Sequence, residues 1–178
     1  MVRDNIHGTI AITDREMIKV KERDGDHGGC PFFEEHAKAC QIYNQRPLQC
    51  VALKCWDTKD FMGLYAGPKL VRDDLIKDDV LRGFVEVHEK RCSYSLMESH
   101  VRGIEKEGEN AVNRIMEVLK FDFHLRPFVS RRLGISDQEM DFIFGRPIIN
   151  TISMFGLKVI QEPDGTFFLT TAKQVGPA

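Results

Sequence analysis

Four of the five cysteines in this chain of 178 residues lie close together, at Cys30, Cys40, Cys50 and Cys55. A thiolate is a soft ligand that suits zinc or an iron–sulfur cluster, and four thiolates complete a tetrahedral zinc site or hold one cluster. The intervals contain nine, nine and four residues, so no C-x-x-C pair is present. The pattern predicts a metal site, and small buried thiols packed in a core are the alternative interpretation.

Composition and charge indicate where such thiols would stay reduced. The N-terminus opens no apolar run, and no stretch approaches the ~20 apolar residues that span a bilayer. Net charge is −2 and the pI is near 6.3, which gives no bulk attraction to nucleic acid or to acidic membranes. We therefore expect a cytoplasmic protein with neither a nucleic acid nor a membrane as partner, and leave a protein partner open.

Three other residues are candidate ligands by type. Cys92 follows a predicted helix, where a thiol packed in the core is favoured over an extra metal ligand. His27 and His36 lie near the cysteines in sequence, and histidine is a common metal ligand. Both histidines also suit polar turns, and we favour that interpretation for each.

The cysteine segment itself shows little regular periodicity. Alternating residues predict two short strands, at Ile10–Ile12 and Ile18–Val20. A glycine-rich turn then leads into Cys30, and from there to Trp56 no helical period lasts longer than one turn. We expect loops folded around the predicted metal site.

Downstream of Trp56, apolar residues recur at three- and four-residue spacing, which predicts helices. The predicted helices begin near Thr58, Asp78, Leu96, Glu109, Ser136 and Pro147, and Gly134 ends the helical stretch that follows the one from Glu109. Residues 157–170 resemble a hairpin with its turn at Pro163-Asp164-Gly165. The fold class is therefore α+β, mainly α. We predict a cysteine-rich metal-binding lobe at 1–57 and a helical domain with a C-terminal hairpin at 58–178.

Several short motifs resemble a known family. These are Gly29-Cys30-Pro31-Phe32, Cys40-Gln41-Ile42-Tyr43, Arg46-Pro47-Leu48-Gln49-Cys50 and Cys55-Trp56. In this order they resemble the second half of the YkgJ-type cysteine-cluster family, whose hallmark is CxxCxxCC. His88-Glu89-Lys90-Arg91-Cys92 and Phe144-Gly145-Arg146-Pro147 also resemble longer members. The resemblance implies binding of zinc or iron and supplies no reaction.

The upstream CxxCxxCC half of that family is missing here, because no cysteine precedes Cys30. Either the chain starts late or this member has lost that half. Arg46 has two interpretations of equal weight. Its guanidinium donates hydrogen bonds to metal-bound sulfur, or it pairs with an acid such as Asp57 or braces loop carbonyls.

Three functions from different classes follow. The first is a metal-binding protein that holds an iron–sulfur cluster or zinc, with the cluster slightly favoured. The second is a helical interaction module whose cysteine lobe only stabilises the fold. The third is an enzyme related to flagellin lysine methylase, which carries a related cysteine pattern. The chain contains no G-x-G-x-x-G, P-loop, H-E-x-x-H or G-x-S-x-G signature, so no catalytic residue is assigned.

Overall fold

The computed structural model describes residues 2–3, 10–11, 16, 18, 20, 23, 29–54, 56–162 and 167–172. By its contacts the chain divides into two compact units. One unit comprises Met1–Asp14 and Arg72–Ala178, and we call it the helical unit. The other comprises Arg15–Val71, and we call it the cysteine unit. The predicted division at residues 57 and 58 stays a prediction.

The described elements are, in chain order, β1 (Val2–Arg3), β2 (Ile10–Ala11), β3 (Phe33–Glu34), β4 (Ala39–Cys40), α1 (Leu48–Ala52), α2 (Lys59–Ala66), α3 (Arg72–Leu75), α4 (Asp79–Cys92), α5 (Tyr94–Glu107), α6 (Glu109–Leu133), α7 (Met140–Phe144), α8 (Ile148–Thr151), β5 (Leu157–Gln161) and β6 (Phe167–Thr171). Short 3-10 turns cover Tyr43–Gln45, Asp137–Glu139 and Ile152–Phe155. The structure is mainly helical with short antiparallel strand pairs, which confirms the predicted α+β, mainly α class. Among the described residues, none of the helices combines the length and hydropathy required to cross a bilayer.

The helix starts follow the capping residues in the sequence. Asp78 caps α4, because its Oδ1 accepts a hydrogen bond of 2.8 Å from the amide of Leu81. Ser93 caps α5 in the same way through the amide of Leu96, at 3.3 Å. These caps satisfy amide groups that have no partner inside the helix. The predicted start of α4 is confirmed, whereas α5 begins at Tyr94, ahead of the predicted Leu96.

Helix α6 is longer than predicted. The stretch from Glu109 and the stretch ended by Gly134 form one helix of 25 residues, which continues through Pro127. Gly134 ends it in the left-handed conformation, at φ 67°, a value that glycine adopts without steric cost. Leu125 and Val129 are buried on either side of Pro127, so core packing along one face holds the helix together where the proline removes a hydrogen bond.

The predicted pairing of a strand at Ile10–Ile12 with a strand at Ile18–Val20 is wrong. β2 pairs antiparallel with β1, in the register Val2↔Ala11 and Arg3↔Ile10. Ile18 and Val20 lie in no strand, and the Ile18 amide donates to the carbonyl of Leu70 at 3.1 Å. Alternation alone does not select a partner, because a strand pairs with whichever edge the chain brings to it.

The predicted C-terminal hairpin is confirmed by the antiparallel pairing of β5 with β6, from Leu157↔Thr171 to Gln161↔Phe167. Its predicted turn lies outside the described residues. Leu157 and Phe167 are buried, whereas Ile160 and Phe168 form an exposed cross-strand pair on the other face. One face of the hairpin therefore packs on the helical unit and the other is open.

The apolar core lies in the helical unit and consists of two clusters. The first cluster joins the end of α4 to α5, α6, α8 and β5, through Cys92, Met97, Ile115, Val118, Leu119, Ile148, Ile152 and Leu157. The second joins α4, α6 and α7, through Ile76, Val85, Leu125, Val129, Met140, Ile143 and Phe144. Helix α6 contributes to both clusters and is the central element of this unit.

Candidate metal centre

Two of the predicted ligands lie on one small hairpin. Cys40 pairs directly with Phe33 across β3 and β4. The carbonyl of Cys30 accepts a hydrogen bond of 3.1 Å from the amide of Phe33, so Cys30 opens the turn that leads into β3. The hairpin thus brings the backbone of Cys30 close to that of Cys40, although nine residues separate them in sequence.

Cys50 lies on α1, a single turn of helix that the sequence analysis expected to be a loop. Its amide donates to the carbonyl of Pro47 at 2.9 Å, because Pro47 precedes the helix and fixes the direction of the chain there. Cys55 lies outside the described residues. Lys54 and Asp57 form an isolated antiparallel bridge.

The described thiols are free and accessible. Cys30 and Cys50 are exposed and Cys40 is half-buried, and none of the three is in a disulfide. Within the described part of the chain, no three His, Cys, Asp or Glu side chains lie close enough together to hold a metal ion. Because Cys55 is outside that part, the four-cysteine set stays a prediction.

Arg23 supports the turn that carries Cys30. Its guanidinium donates to the carbonyl of Pro31 at 3.2 Å and also to that of Phe33. It lies 3.9 Å from a carboxylate oxygen of Glu35, in an exposed ion pair that contributes little by itself. The Arg23 side chain therefore holds two carbonyls in place, that of Pro31 just before β3 and that of Phe33 at its first residue.

Arg46 packs on an aromatic ring and does not pair with Asp57. Its guanidinium carbon lies 3.8 Å from the centroid of the Tyr43 ring, a cation–π contact. Its Nε is buried and has no hydrogen-bond partner among the described residues. Asp57, the predicted acidic partner, instead accepts a hydrogen bond of 3.0 Å from the amide of Lys59. Among the described residues, Arg46 thus keeps one buried N–H donor without an acceptor.

The described residues of the cysteine unit form almost no apolar interior. None of its described residues is buried, and many large apolar side chains are exposed. The exposed ones include Phe33, Tyr43, Leu48, Val51, Leu53, Trp56, Met62, Leu64 and Leu70. A unit of this size without a core is usually held together by metal ions or disulfides.

Cys92 is confirmed as a core thiol. It is 4% exposed, belongs to the first apolar cluster and points its sulfur toward the carbonyl of Val118 at 4.0 Å. Burial, with the charge of Asp122 adding to it, raises the pKa of this thiol to about 12. A thiol with that pKa is protonated and inert at neutral pH. His36 is exposed, as a turn residue is expected to be, and His27 lies outside the described residues.

A buried polar network in the helical unit was missed by the sequence analysis. Asp122 is 2% exposed and accepts three hydrogen bonds of 2.8 Å. His88 and Arg126 donate to Oδ1, and the amide of Ile148 donates to Oδ2. Burial alone would raise the pKa of Asp122, but these donors and the Arg126 charge hold it below its ordinary value. The available signal was the pair Asp122 and Arg126, spaced by four residues on the otherwise apolar face of α6.

The network joins the two later motifs that resemble longer family members. The His88 and Phe144 rings lie 5.0 Å apart. Arg126 donates to the carbonyl of Gly145 at 2.9 Å, and its Nη2 is buried without a hydrogen-bond partner among the described residues. The arrangement fixes α4, α6 and the segment between α7 and α8 against one another. These contacts hold the three segments of the helical unit together.

Comparison with known families bears on the cysteine segment. Residues 3–66 match the CxxCxxCC family, described as "Putative zinc- or iron-chelating domain". The resemblance predicted from the cysteine motifs is thereby confirmed, whereas the YkgJ name stays a prediction. The matched segment contains all four clustered cysteines and excludes Cys92.

The description of the family covers both metals that the thiolates predict, zinc and iron. No curated protein and no solved structure matches this chain. The match covers α1, α2 and the β3–β4 hairpin but none of the long helices, so the similarity is confined to the cysteine segment and its flanks.

Proposed function

We propose that this protein binds zinc or an iron–sulfur cluster through the thiolates of Cys30, Cys40, Cys50 and Cys55. The single observation that carries the proposal is the match of residues 3–66 to a zinc- or iron-chelating family, with all four clustered cysteines inside it. The ligands are soft donors that suit either metal.

The accessibility of the thiols supports this function. Cys30 and Cys50 are exposed, unlike Cys92, which is sequestered in the core. The described thiols do not by themselves gather into a group of three ligands. We therefore propose that binding and ordering are coupled, so that the metal draws α1 and the β3–β4 hairpin together. Structural metal sites in small units commonly supply folding free energy in this way.

The unpartnered donor of Arg46 also fits an anionic sulfur site. A thiolate bound to metal carries negative charge and accepts N–H hydrogen bonds, and such outer contacts tune the metal. The Nε of Arg46, four residues before Cys50, is a buried N–H with no acceptor in the described part of the chain. We propose that it donates to a metal-bound sulfur, which would offset part of the thiolate charge.

Reduced thiols are necessary for this function, and we propose the cytoplasm as the compartment that maintains them. The described cysteines are all free. An iron–sulfur cluster is colored and sensitive to oxygen, whereas zinc is neither, so the protein is purified without oxygen before its metal is identified.

Elemental analysis of the full chain after anaerobic purification tests the proposal. We expect zinc or iron at near one site per chain, and for a cluster also visible absorbance. Changing Cys30, Cys40, Cys50 or Cys55 to Ser removes a ligand and should lower the metal content each time.

The matched control is Cys92→Ser, because Cys92 lies outside the matched segment and is buried elsewhere. This variant should retain the wild-type metal content. Metal-free protein whose cysteine unit is fully protected from hydrogen exchange would contradict the proposal. Equal metal loss in the Cys92 and Cys50 variants would contradict the assignment of ligands.

A further inference from the structure

An apolar stripe, exposed except at the half-buried Phe84, runs along the seam between α4 and α6. We define the stripe as Val80, Phe84, Val87 and Phe128. Val80 is 59% exposed, Val87 46% and Phe128 49%. The rings of Phe84 and Phe128 meet edge to face, with centroids 6.0 Å apart, so the α4 and α6 parts of the stripe are continuous.

The spacing of residues on α4 and the direction of α6 define the stripe. Val80, Phe84 and Val87 are spaced by four and three residues, which places them on one face of α4. The two helices are antiparallel. Phe84 contacts Phe128, whereas the guanidinium carbon of Arg91, later in α4, lies 4.5 Å from the ring centroid of Phe121, earlier in α6. The α4 part spans about 10 Å, or two helical turns.

The charged residues three or four positions from the stripe are all basic, whereas Asp79 and Glu86, which directly precede Val80 and Val87, are acidic. Within α4 and α6, every polar residue three or four positions from a stripe residue is basic or a histidine. These residues are His88, Lys90, Arg91, His124, Arg131 and Arg132. All but His88 are exposed, and in the described part of the chain no carboxylate pairs with Arg91, Arg131 or Arg132. The whole chain has a net charge of −2, so this basic rim is a local concentration of positive charge.

We propose that the stripe is a docking surface for an amphipathic, acidic helix of a partner protein. Such a helix places apolar residues at i, i+3, i+4 and i+7 on a seam of this length, and its carboxylates meet the basic rim. Complementary charge around an apolar centre speeds association and fixes register, while the apolar contacts supply the affinity. Gly83 has no side chain, and a Cβ atom placed there would have no neighbour within 4 Å. The surface beside Val80 and Val87 is therefore unobstructed.

Fluorescence anisotropy of a labelled synthetic helix with the full chain tests the proposal. The probe carries leucine at i, i+3, i+4 and i+7 and glutamate on both flanks. One control peptide has lysine for every glutamate, and a second has alanine for every leucine. We expect saturable binding of the glutamate peptide with a Kd in roughly the micromolar range, and weaker binding of both controls.

Two variants identify the surface. Val87→Asp should weaken binding by about tenfold or more, because a charge is then desolvated in the apolar centre. The double variant Arg131→Glu, Arg132→Glu should reverse the preference and favour the lysine peptide. Ile160→Asp and Arg102→Glu are matched controls at exposed positions elsewhere in the helical unit and should bind as the wild type does. Circular dichroism confirms that each variant is folded.

Several results would overturn the proposal. They are the absence of saturable binding up to about 1 mM, equal binding of the glutamate and lysine peptides, and equal weakening by Ile160→Asp and Val87→Asp. Binding of anionic phospholipid vesicles that Val87→Asp abolishes, with no peptide binding, would make the stripe a membrane contact. Concentration-dependent self-association that Val87→Asp abolishes would make it an interface between copies of this chain.

Discussion

Replacing Asp122 with Asn should strongly destabilise the helical unit. Asp122 uses both carboxylate oxygens, because Oδ1 accepts from His88 and Arg126 and Oδ2 accepts from the Ile148 amide. Asparagine has only one oxygen there, so in either orientation its NH₂ group faces an N–H donor. The same change removes the buried negative charge beside Arg126, which is 8% exposed and keeps only the half-exposed carboxylate of Asp141, at 3.7 Å.

The magnitude follows from that geometry. Removing one partner of a buried ion pair costs about 3–5 kcal/mol, since the other charge stays buried and uncompensated. The three hydrogen bonds are part of this figure rather than an addition to it, because they act as one network. About 4 kcal/mol is a large share of a typical domain stability and lowers Tm by roughly 8–16 °C.

Urea unfolding followed by circular dichroism at 222 nm measures the effect, because the long helices α4, α5 and α6 dominate that signal. The single tryptophan, Trp56, lies in the cysteine unit, so its fluorescence follows the other unit. The matched control is Asp79→Asn, which affects an exposed pair with Arg82 and should change stability by less than about 0.5 kcal/mol. A loss below about 1 kcal/mol in Asp122→Asn would refute the reasoning that the network holds the unit together.

Three further predictions concern pH, thiol reactivity and metal removal. Because the pKa of Asp122 is lowered in the folded protein, its stabilisation is complete above the unfolded-state value of about 3.9 and is lost as pH falls below it. The difference in urea midpoint between wild type and Asp122→Asn should therefore shrink on acidification below that value, and a constant difference would contradict it. In metal-free protein, iodoacetamide should modify Cys30 and Cys50 rapidly and Cys92 only after unfolding, as peptide mass spectrometry will show. A chelator should raise hydrogen exchange sharply across residues 30–54 and little across Ile115–Leu119, and uniform loss of protection would mean that the two units share one cooperative core.

Local features of the sequence determined much of the helical unit. The caps at Asp78 and Ser93 and the stop at Gly134 depend on hydrogen bonds and dihedral angles within a few residues, so their types predict the ends of α4, α5 and α6. The burial of Cys92 follows from helical periodicity in the same way. The thiolates of the cysteine cluster, together with the motif order, predicted the family that residues 3–66 match.

The tertiary structure decided everything that depends on residues far apart in sequence. Asp122 meets His88 across 34 residues and Ile148 across 26, and no local pattern predicts which donors surround a buried carboxylate. The partner of β2, the continuity of α6 through Pro127 and the joining of Phe84 to Phe128 in one apolar stripe have the same origin. Each depends on which surfaces the folded chain brings together, because packing free energy outweighs local preference wherever the two conflict.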